Sequence, residues 1–408
     1  MLVYYLNLLV ILALAYPLCI RKPDQRKRAV YLACTFSLMF LLSAARRGIG
    51  NDYFSYIDIY YEAAGRPFSG LFGSGLRAEP GYLLLCKLIS LTGASQTVMY
   101  AVMAVLCLLP VAWFLYRYSE NLWLSTWLYV TLTFFYGTMN FVRQNLALAI
   151  LLLGYPLLRR RRLWAAAAYA GVILAAASFH KTALILLPVL LLCYLPLNRW
   201  IGGAYGALAL ALYLTSRQLV DWITNYIYTG YKDLPYLNFG LSFVFLILPA
   251  LILALVLCNK KGLEQRWEDA PLLINLVFYS VLIWLFITKH MVLERFSLYL
   301  YVYALLLVPM AVELHRPDAK LAGQHRKLRE EIRRLGNTGK GGHSKAVLRR
   351  YQELDQRLSA QRALYWGLLA AVLIASFCYH EFGMHDGSNG FHGVFPYRSL
   401  LEPLNRLP

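Results

Sequence analysis

Long apolar runs recur along almost the whole chain, and they limit what it can fold into. Hydrophobic residues make up 59% of the 408 residues and charged residues only 15%, whereas soluble domains carry about 25% charged residues. A transmembrane helix needs roughly 20 mainly apolar residues, and in lipid each backbone polar group must be paired within the protein. The sequence therefore predicts an all-α, polytopic integral membrane helical bundle.

About twelve runs qualify as transmembrane segments. Their approximate limits are residues 2–20, 29–44, 96–116, 121–138, 140–158, 163–179, 182–197, 200–216, 240–258, 271–288, 296–314 and 363–379. The shorter run 81–92 cannot cross, so it predicts an interfacial or re-entrant helix within an outer loop, residues 45–95. The expected domains are a transmembrane core (1–314), a basic cytoplasmic helical insert (315–362), a last transmembrane helix (363–380) and a flexible outer tail (381–408).

The basic residues set the expected sidedness, because Lys and Arg accumulate on the cytoplasmic side of membrane proteins. Alternate loops carry most of the 40 Lys and Arg, including Arg159–Arg162 and the segment from His315 to Arg362. Both termini are then expected outside. The formal charge of +19 is explained by this topology, so it does not indicate a nucleic-acid partner.

No motif predicts a metal, a disulfide or a nucleotide. The seven cysteines lie singly, without metal-ligand spacing. The GKGG run at 339–342 lacks the spacing of a phosphate-binding loop. We expect no metal site and no cofactor.

Once the cytoplasmic charges are set aside, ionisable side chains remain at the outer ends of several helices. They include Arg46, Arg47, Asp52, Glu62, Glu79, Arg143, His180, Lys181, Lys289, His290, Glu294 and Arg295. Ionisable groups at membrane depth are costly, which makes them functional candidates. The alternative is that each side chain simply reaches the lipid headgroups.

The stretch RRGIGNDYFSY at 46–56 is the most specific feature of this set. Its glycines permit a tight turn after the second span, which returns a carboxylate and aromatic rings towards the membrane surface. Tyr53, Tyr56 and Tyr60 share one helical face, where their rings are placed to stack on sugars. An interfacial aromatic belt is the alternative.

Three more polar groups lie at outer helix ends: Arg143 with Gln144, His180 with Lys181, and Arg295 with Tyr299 one turn later. Several cations around one cavity suit a phosphate-type ligand, because guanidinium binds phosphate oxygens in bidentate fashion. With the tyrosines, they predict a lipid-diphosphate-linked saccharide as ligand. Ordinary polar turns and a Glu–Arg surface pair are the alternatives.

The order of these motifs resembles the EpsG-like family of Wzy-type polysaccharide polymerases. RRGIGNDYFSY is followed by EPGY at 79–82, VRQ at 142–144, FHK at 179–181 and RFSLY at 295–299, and the resemblance extends from Met1 to about Glu313. It implies a bacterial inner-membrane glycosyltransferase that joins polyprenyl-diphosphate-linked repeat units of exopolysaccharide, capsule or O-antigen on the outer face. It also implies a fold similar to lipid-dependent, GT-C-like glycosyltransferases, with no obligatory metal or nucleotide.

Such a transfer needs a base for the acceptor hydroxyl, cations for the diphosphate and groups that hold the sugars, which suggests roles for individual residues. The catalytic candidates are Asp52, His180 and Glu79; the diphosphate-binding candidates are Arg47, Arg143, Lys181 and Arg295; the sugar-binding candidates are Tyr53, Tyr56, Tyr60, Gln144 and Tyr299. Expected partners are lipid-linked oligosaccharides and membrane lipid, with a chain-length regulator and other polysaccharide-assembly proteins as further candidates.

Three other functions stay open. A flippase or transporter of lipid-linked saccharide would use the same charged cavity without cleaving its cargo, although no internal repeat relates the two halves. An O-antigen ligase shares the donor but usually has a larger outer loop. A membrane O-acyltransferase would also place a histidine near the membrane surface, but the Arg- and Tyr-rich cluster suits diphosphate and sugar better.

Overall fold

The chain is helical throughout the part that the structure describes. The structure is a computed structural model, and it describes residues 1–73, 75–226, 240–338, 344–385 and 392–401. Within these ranges there is no β-strand, and Arg46 and Ser399 form an isolated β-bridge. The predicted all-α class is confirmed.

Twenty α-helices follow one another along these ranges. In the first part they are α1 Leu2–Ala15, α2 Gln25–Ala44, α3 Tyr53–Gly65, α4 Pro80–Ser90, α5 Gln96–Tyr118, α6 Leu122–Thr131, α7 Phe134–Asn140, α8 Val142–Leu153, α9 Tyr155–Leu158 and α10 Leu163–Ala177. In the second part they are α11 Leu186–Leu192, α12 Arg199–Leu214, α13 Ser216–Tyr226, α14 Val244–Cys258, α15 Lys260–Arg266, α16 Ala270–Ile287, α17 Glu294–Tyr301, α18 Ala304–Leu314, α19 Ala319–Thr338 and α20 Ser344–Met384. Three-residue-per-turn segments lie at Phe68–Leu71, Lys181–Ile185 and Met291–Leu293.

Fewer helices than the predicted twelve are long enough to cross a membrane. Among the described residues five are, or up to seven if each of two bent pairs is one span. The bent pairs turn by 66° between α14 and α15 and by 54° in the segment from Met291 to Arg334. Several predicted spans are broken: α6 and α7 meet at Thr133, whose φ is +68°, and α8 ends before Gly154, after which α9 begins with Tyr155 and Pro156. The apolar helices support a membrane protein, while the count of twelve is not confirmed.

Two apolar clusters form the interior. The larger one runs through most of the bundle, and α6 is buried on every side within it. The smaller one joins α3 and α4 to the first half of α5 and to Val142 and Leu146 of α8. The outer helices therefore have a packed base of their own, which fixes the loops at their ends.

The predicted insert is a helical hairpin of α19 and the first part of α20. His325 of α19 lies 2.9 Å from the Asp355 carboxylate, and its ring stacks on Tyr351 at 4.6 Å between centroids. The predicted break between the two helices, residues 336–345, lies partly outside the described residues. The second half of the insert and the last predicted span, 363–380, belong to one continuous helix of 41 residues, Ser344–Met384.

The described end of the tail is packed against the outer face. We call residues 392–401 the C-terminal strap. Three of its contacts are to the turn after α2: Gly50 donates to the Gly393 carbonyl at 2.9 Å, Arg47 N–H to the Arg398 carbonyl at 3.0 Å, and Leu400 N–H to the Ala45 carbonyl at 2.9 Å. The flexible tail predicted for 381–408 is therefore, over 392–401, a structured segment held by backbone hydrogen bonds.

Candidate active site

A small cleft gathers polar residues from four separate stretches of the chain. It holds about 240 Å³ of empty space and is lined by Asp52, Tyr56, Phe141, Arg143, Gln144, His180 and Arg295. Five of the predicted motifs lie far apart in sequence, and four of them contribute a side chain to this lining. The fifth, EPGY, contributes the carboxylate that holds two of the lining residues in place.

Glu79 makes the contacts that hold these lining residues in place. Glu79 is 8% exposed, and its carboxylate accepts a hydrogen bond from the Arg143 guanidinium at 2.6 Å. The other carboxylate oxygen lies 3.3 Å from His180 Nδ1 and accepts from the backbone N–H of Lys181 at 3.2 Å. A carboxylate held by a cation and two further groups is fixed in position, so Glu79 orients Arg143 and His180.

Gly81 allows Glu79 to reach the loop that carries His180. The Gly81 N–H donates to the Ser178 carbonyl at 2.8 Å. A Cβ on Gly81 would lie 2.7 Å from that carbonyl oxygen and 2.5 Å from the Ser178 hydroxyl. The glycine in EPGY is therefore explained by the close approach of α4 to the end of α10.

Gly50 likewise allows a close approach between two segments, and this approach positions Asp52. Its φ is +95°, and a Cβ there would lie 2.5 Å from the Met139 carbonyl oxygen. The turn after α2 thus packs against the end of α7, and this contact puts Asp52 beside the start of α8, where Arg143 lies. Only glycine fits this position without a shift of the backbone.

Asp52 and Arg295 differ from the other charged residues of the cleft in how they are held. Neither side chain makes a hydrogen bond or ion pair with the described part of the chain, unlike Arg143 and Glu79. Burial raises the pKa of Asp52, against the opposing charges of Arg295, Arg143 and His180. A half-buried carboxylate with a raised pKa is a better proton acceptor than an ordinary aspartate.

Glu79 behaves in the opposite way. Burial by itself would raise its pKa, but the adjoining His180 imidazole and the Arg143 guanidinium outweigh burial and lower the pKa to about 2. Glu79 therefore stays ionised and paired, which suits a positioning residue better than a base. Of the three predicted catalytic residues, Asp52 has the environment that a general base needs.

Replacing Glu79 by glutamine is expected to lower the unfolding temperature of the purified protein at pH 7, whereas replacing Asp52 by asparagine is expected to maintain or raise it. A lowered pKa means that the ionised Glu79 stabilises the fold above pH 4.5, its ordinary value, and that this contribution disappears as the pH falls towards 2. A raised pKa means that ionised Asp52 costs stability at neutral pH. Breaking a buried pair costs about 3 kcal/mol. Unfolding temperatures of the two variants and of the wild type, measured at pH 7 and at pH 4, test the direction of both changes.

Glu62→Gln is the matched control, because Glu62 pairs with Arg66 at 2.7 Å on the surface of the same outer loop. Such exposed pairs contribute about 1 kcal/mol or less. A large loss of stability from Asp52→Asn at pH 7 would contradict the assignment of Asp52 as a carboxylate that the fold does not use.

A second, mainly apolar chamber adjoins the cleft. It encloses about 410 Å³ and shares Phe141, Gln144 and Arg295 with the cleft lining. Its remaining wall is formed mostly by apolar and aromatic residues, namely Leu132, Thr133, Phe134, Gly137, Trp284, Glu294, Ser297, Leu298, Tyr301 and His392. A charged cleft that opens beside an apolar chamber suits an amphiphilic ligand whose anionic group is joined to a hydrocarbon.

Two of the predicted sugar-binding residues line the cleft. Gln144 lies there and donates from its amide to the Arg295 carbonyl at 2.5 Å, which ties α8 to α17. Tyr56 lies against the Arg143 guanidinium, and burial raises the pKa of Tyr56 to about 12, so its phenol stays protonated.

The other predicted residues lie elsewhere. Tyr53 is stacked on Tyr100 at 4.7 Å between ring centroids, and the Tyr60 hydroxyl donates to the Ala94 carbonyl at 2.6 Å. Tyr299 is buried, with its hydroxyl 3.0 Å from Thr182 Oγ. The structure thus uses these three rings for packing, and none of them lines the cleft.

Two predicted diphosphate-binding cations are also outside the cleft lining. The Arg47 guanidinium donates to the Leu400 carbonyl at 3.1 Å, so it holds the C-terminal strap. The Lys181 side chain is exposed, and its backbone N–H is the group that contacts Glu79. Arg143 and Arg295 are the predicted cations that the fold brings together.

The structure adds three residues that the sequence did not indicate. Phe141 lines the cleft at the break between α7 and α8, Thr182 connects its loop to Tyr299, and His392 of the strap lines the apolar chamber. His392 packs edge-on against Phe141 at 5.5 Å. Nothing in the local pattern marks Phe141 or His392, because both are placed by contacts between distant segments.

Comparisons with known proteins give one match. No curated protein matches this chain, and no solved structure does. The family model described as the EpsG family matches residues 3–321, which covers every residue of the cleft and ends in the first turn of α19. The chain belongs to the EpsG family.

Proposed function

We propose that this protein is a bacterial polysaccharide polymerase of the cytoplasmic membrane, which joins polyprenyl-diphosphate-linked oligosaccharide repeat units on the outer face. Membership of the EpsG family supports a polymerase-like role in polysaccharide biosynthesis. The observation that carries the finer proposal is the cleft itself, where Asp52 and Arg295 face one space and neither side chain makes a hydrogen bond or ion pair with the described part of the chain.

The reaction assigns a task to each of these groups. An acceptor sugar hydroxyl attacks the anomeric carbon of the donor chain, its proton passes to the Asp52 carboxylate, and the bond from that carbon to the diphosphate oxygen breaks. The electron pair of that bond leaves with the polyprenyl diphosphate. Arg295, with Arg143 behind it, stabilises the negative charge that develops on the departing diphosphate.

The surroundings of the cleft suit the remaining parts of such a donor. The apolar chamber beside Arg295 is placed to take the first part of the polyprenyl chain, and the protonated Tyr56 and the Gln144 amide are placed to donate to sugar hydroxyls. Glu79 is already saturated by Arg143, His180 and Lys181, so in this mechanism it positions the other groups and does not take the proton.

Cells that lack this protein are expected to accumulate single lipid-linked repeat units at the outer face of the membrane. The lipid-linked saccharides are extracted, sized on a gel and tested for access to an impermeant glycosidase or lectin. Accumulation inside would instead support a transporter, and full-length polymer that stays on polyprenyl diphosphate would support a ligase. This result does not depend on which residues are catalytic, so it tests the function separately from the site.

A further inference from the structure

A second polar cavity lies at the other end of the bundle. The candidate active site lies beyond the C-terminal end of α2, whereas this cavity surrounds its N-terminal end, about 30 Å away for a helix of 20 residues. It holds about 1,050 Å³ of empty space. Its lining includes Arg28, Glu120, Glu313, Arg316, Arg362 and Trp366.

The cavity gathers basic residues from three of the segments that the sequence places on the cytoplasmic side. Arg28 comes from the start of α2, Arg316 from the loop after α18, and Arg362 from the part of α20 just before its apolar stretch. The fold brings these charges together although they are up to 334 residues apart. The accumulation of basic residues on the cytoplasmic side would not by itself require them to share one cavity. Their convergence indicates an anionic ligand.

The charges in this cavity are only partly balanced by the protein. Glu313 is buried, and it accepts hydrogen bonds from the Asn121 amide at 2.8 Å, the Tyr365 hydroxyl at 3.1 Å and the Arg316 guanidinium at 3.2 Å. Arg28 donates to two backbone carbonyls, those of Tyr116 and Ser119, both at 3.1 Å.

Arg362 is the cation of the cavity that the fold leaves without a partner. Its guanidinium makes no hydrogen bond or ion pair with the described ranges of the chain. An arginine that lines a cavity with all its donors available can bind two oxygens of a phosphate group.

An apolar groove begins beside the same arginines. It lies between α2 and α5, holds about 910 Å³, and is lined almost entirely by hydrocarbon and aromatic side chains from Ala29 to Phe40 and from Val105 to Tyr116. Tyr116 joins the groove to the cavity, because its ring lies 5.9 Å from the Arg28 guanidinium and its carbonyl accepts the Arg28 hydrogen bond. Trp366, which is 56% exposed, stands at the cavity edge, as expected of a tryptophan at a membrane interface.

We propose that this cavity binds the phosphate of an anionic phospholipid from the cytoplasmic leaflet, with one acyl chain lying along the groove between α2 and α5. The groove favours a lipid over free phosphate, since a soluble anion would make no use of it. The site lies at the opposite end of α2 from the candidate active site, so its ligand differs from the substrate lipid. A bound lipid would connect α20, and with it the α19–α20 hairpin, to the transmembrane helices.

The proposal is tested by native mass spectrometry of the full-length protein purified in detergent and titrated with phosphatidylglycerol or phosphatidylcholine. The wild-type protein is expected to retain phosphatidylglycerol in preference to phosphatidylcholine. Arg362→Gln is expected to weaken phosphatidylglycerol binding about fivefold, which corresponds to about 1 kcal/mol for one basic residue at an anionic lipid surface. Phosphatidylcholine binding is expected to change little.

Arg349→Gln is the matched control, because Arg349 is an exposed arginine on the same helix and outside the cavity. It removes the same charge, so it should leave phosphatidylglycerol retention close to the wild-type value. Equal losses in the two variants would overturn the proposal in favour of nonspecific attraction to a basic surface. Displacement of the lipid by millimolar inorganic phosphate would overturn it in favour of a free-anion site.

Discussion

Replacing Arg295 by glutamine is expected to reduce polymerisation about 100-fold, by analogy with the loss of one charge-stabilising donor from an active site. Arg295 is the cleft arginine whose side chain makes no hydrogen bond or ion pair with the described chain, so its charge is available to the diphosphate of the proposed donor. The protein should remain folded, because the Arg295 side chain makes no hydrogen bond or ion pair within the described ranges and its backbone carbonyl still accepts from Gln144. The rate is measured with the purified protein and a lipid-linked repeat unit, by the length of the product.

Two variants sharpen this prediction. Lys181→Gln removes a nearby charge whose side chain is exposed and outside the cleft lining, so it should keep most of the activity. Arg295→Lys keeps the charge but loses the planar pair of donors that matches phosphate oxygens, so it should recover only part of it. Normal polymer from Arg295→Gln together with a loss in Lys181→Gln would place diphosphate binding outside the cleft.

Replacing Gly50 by alanine is expected to reduce activity by a similar factor, although Gly50 is not part of the cleft lining. Its φ of +95° and the Met139 carbonyl oxygen, 2.5 Å from where a Cβ would be, force the backbone to move. That movement displaces Asp52, two residues later, and also disturbs the hydrogen bond from Gly50 to Gly393 of the strap. A misplacement of about 1 Å at a catalytic group can cost about 100-fold in rate.

Gly93→Ala separates backbone strain from displacement. Gly93 also has a positive φ, +71°, but a Cβ there would have no neighbour within 4 Å. It should therefore cost about 1–2 kcal/mol of stability through conformation alone, with the rate unchanged. If Gly50→Ala were as active as Gly93→Ala, the close contact with Met139 would not be what positions Asp52.

Much of the candidate site could be predicted from sequence because the residues that carry charge at outer helix ends are few. Asp52, Arg143, Gln144, His180 and Arg295 were all identifiable in this way, and all five line the cleft. Ionisable groups are costly at membrane depth, so their occurrence there is informative even without coordinates.

The role of each residue in that set could be assigned only from the structure. Tyr53, Tyr56 and Tyr60 share one helical face, yet only Tyr56 lines the cleft, since α5 covers Tyr53 and the residues after α4 bind the Tyr60 hydroxyl. Periodicity tells which side chains point the same way, but it does not tell what covers them.

Sequence by itself determined the all-α class, the need for lipid and the separation of a basic hairpin from the apolar core, because these follow from composition and local pattern. Tertiary structure decided which apolar runs are unbroken and how Glu79 pairs with Arg143 and His180. It also decided that residues 392–401 return to the turn that carries Asp52. These features depend on close contacts between segments far apart in the chain. At Gly50, for example, a Cβ would lie 2.5 Å from the Met139 carbonyl oxygen. Such contacts produce no periodic pattern in the sequence.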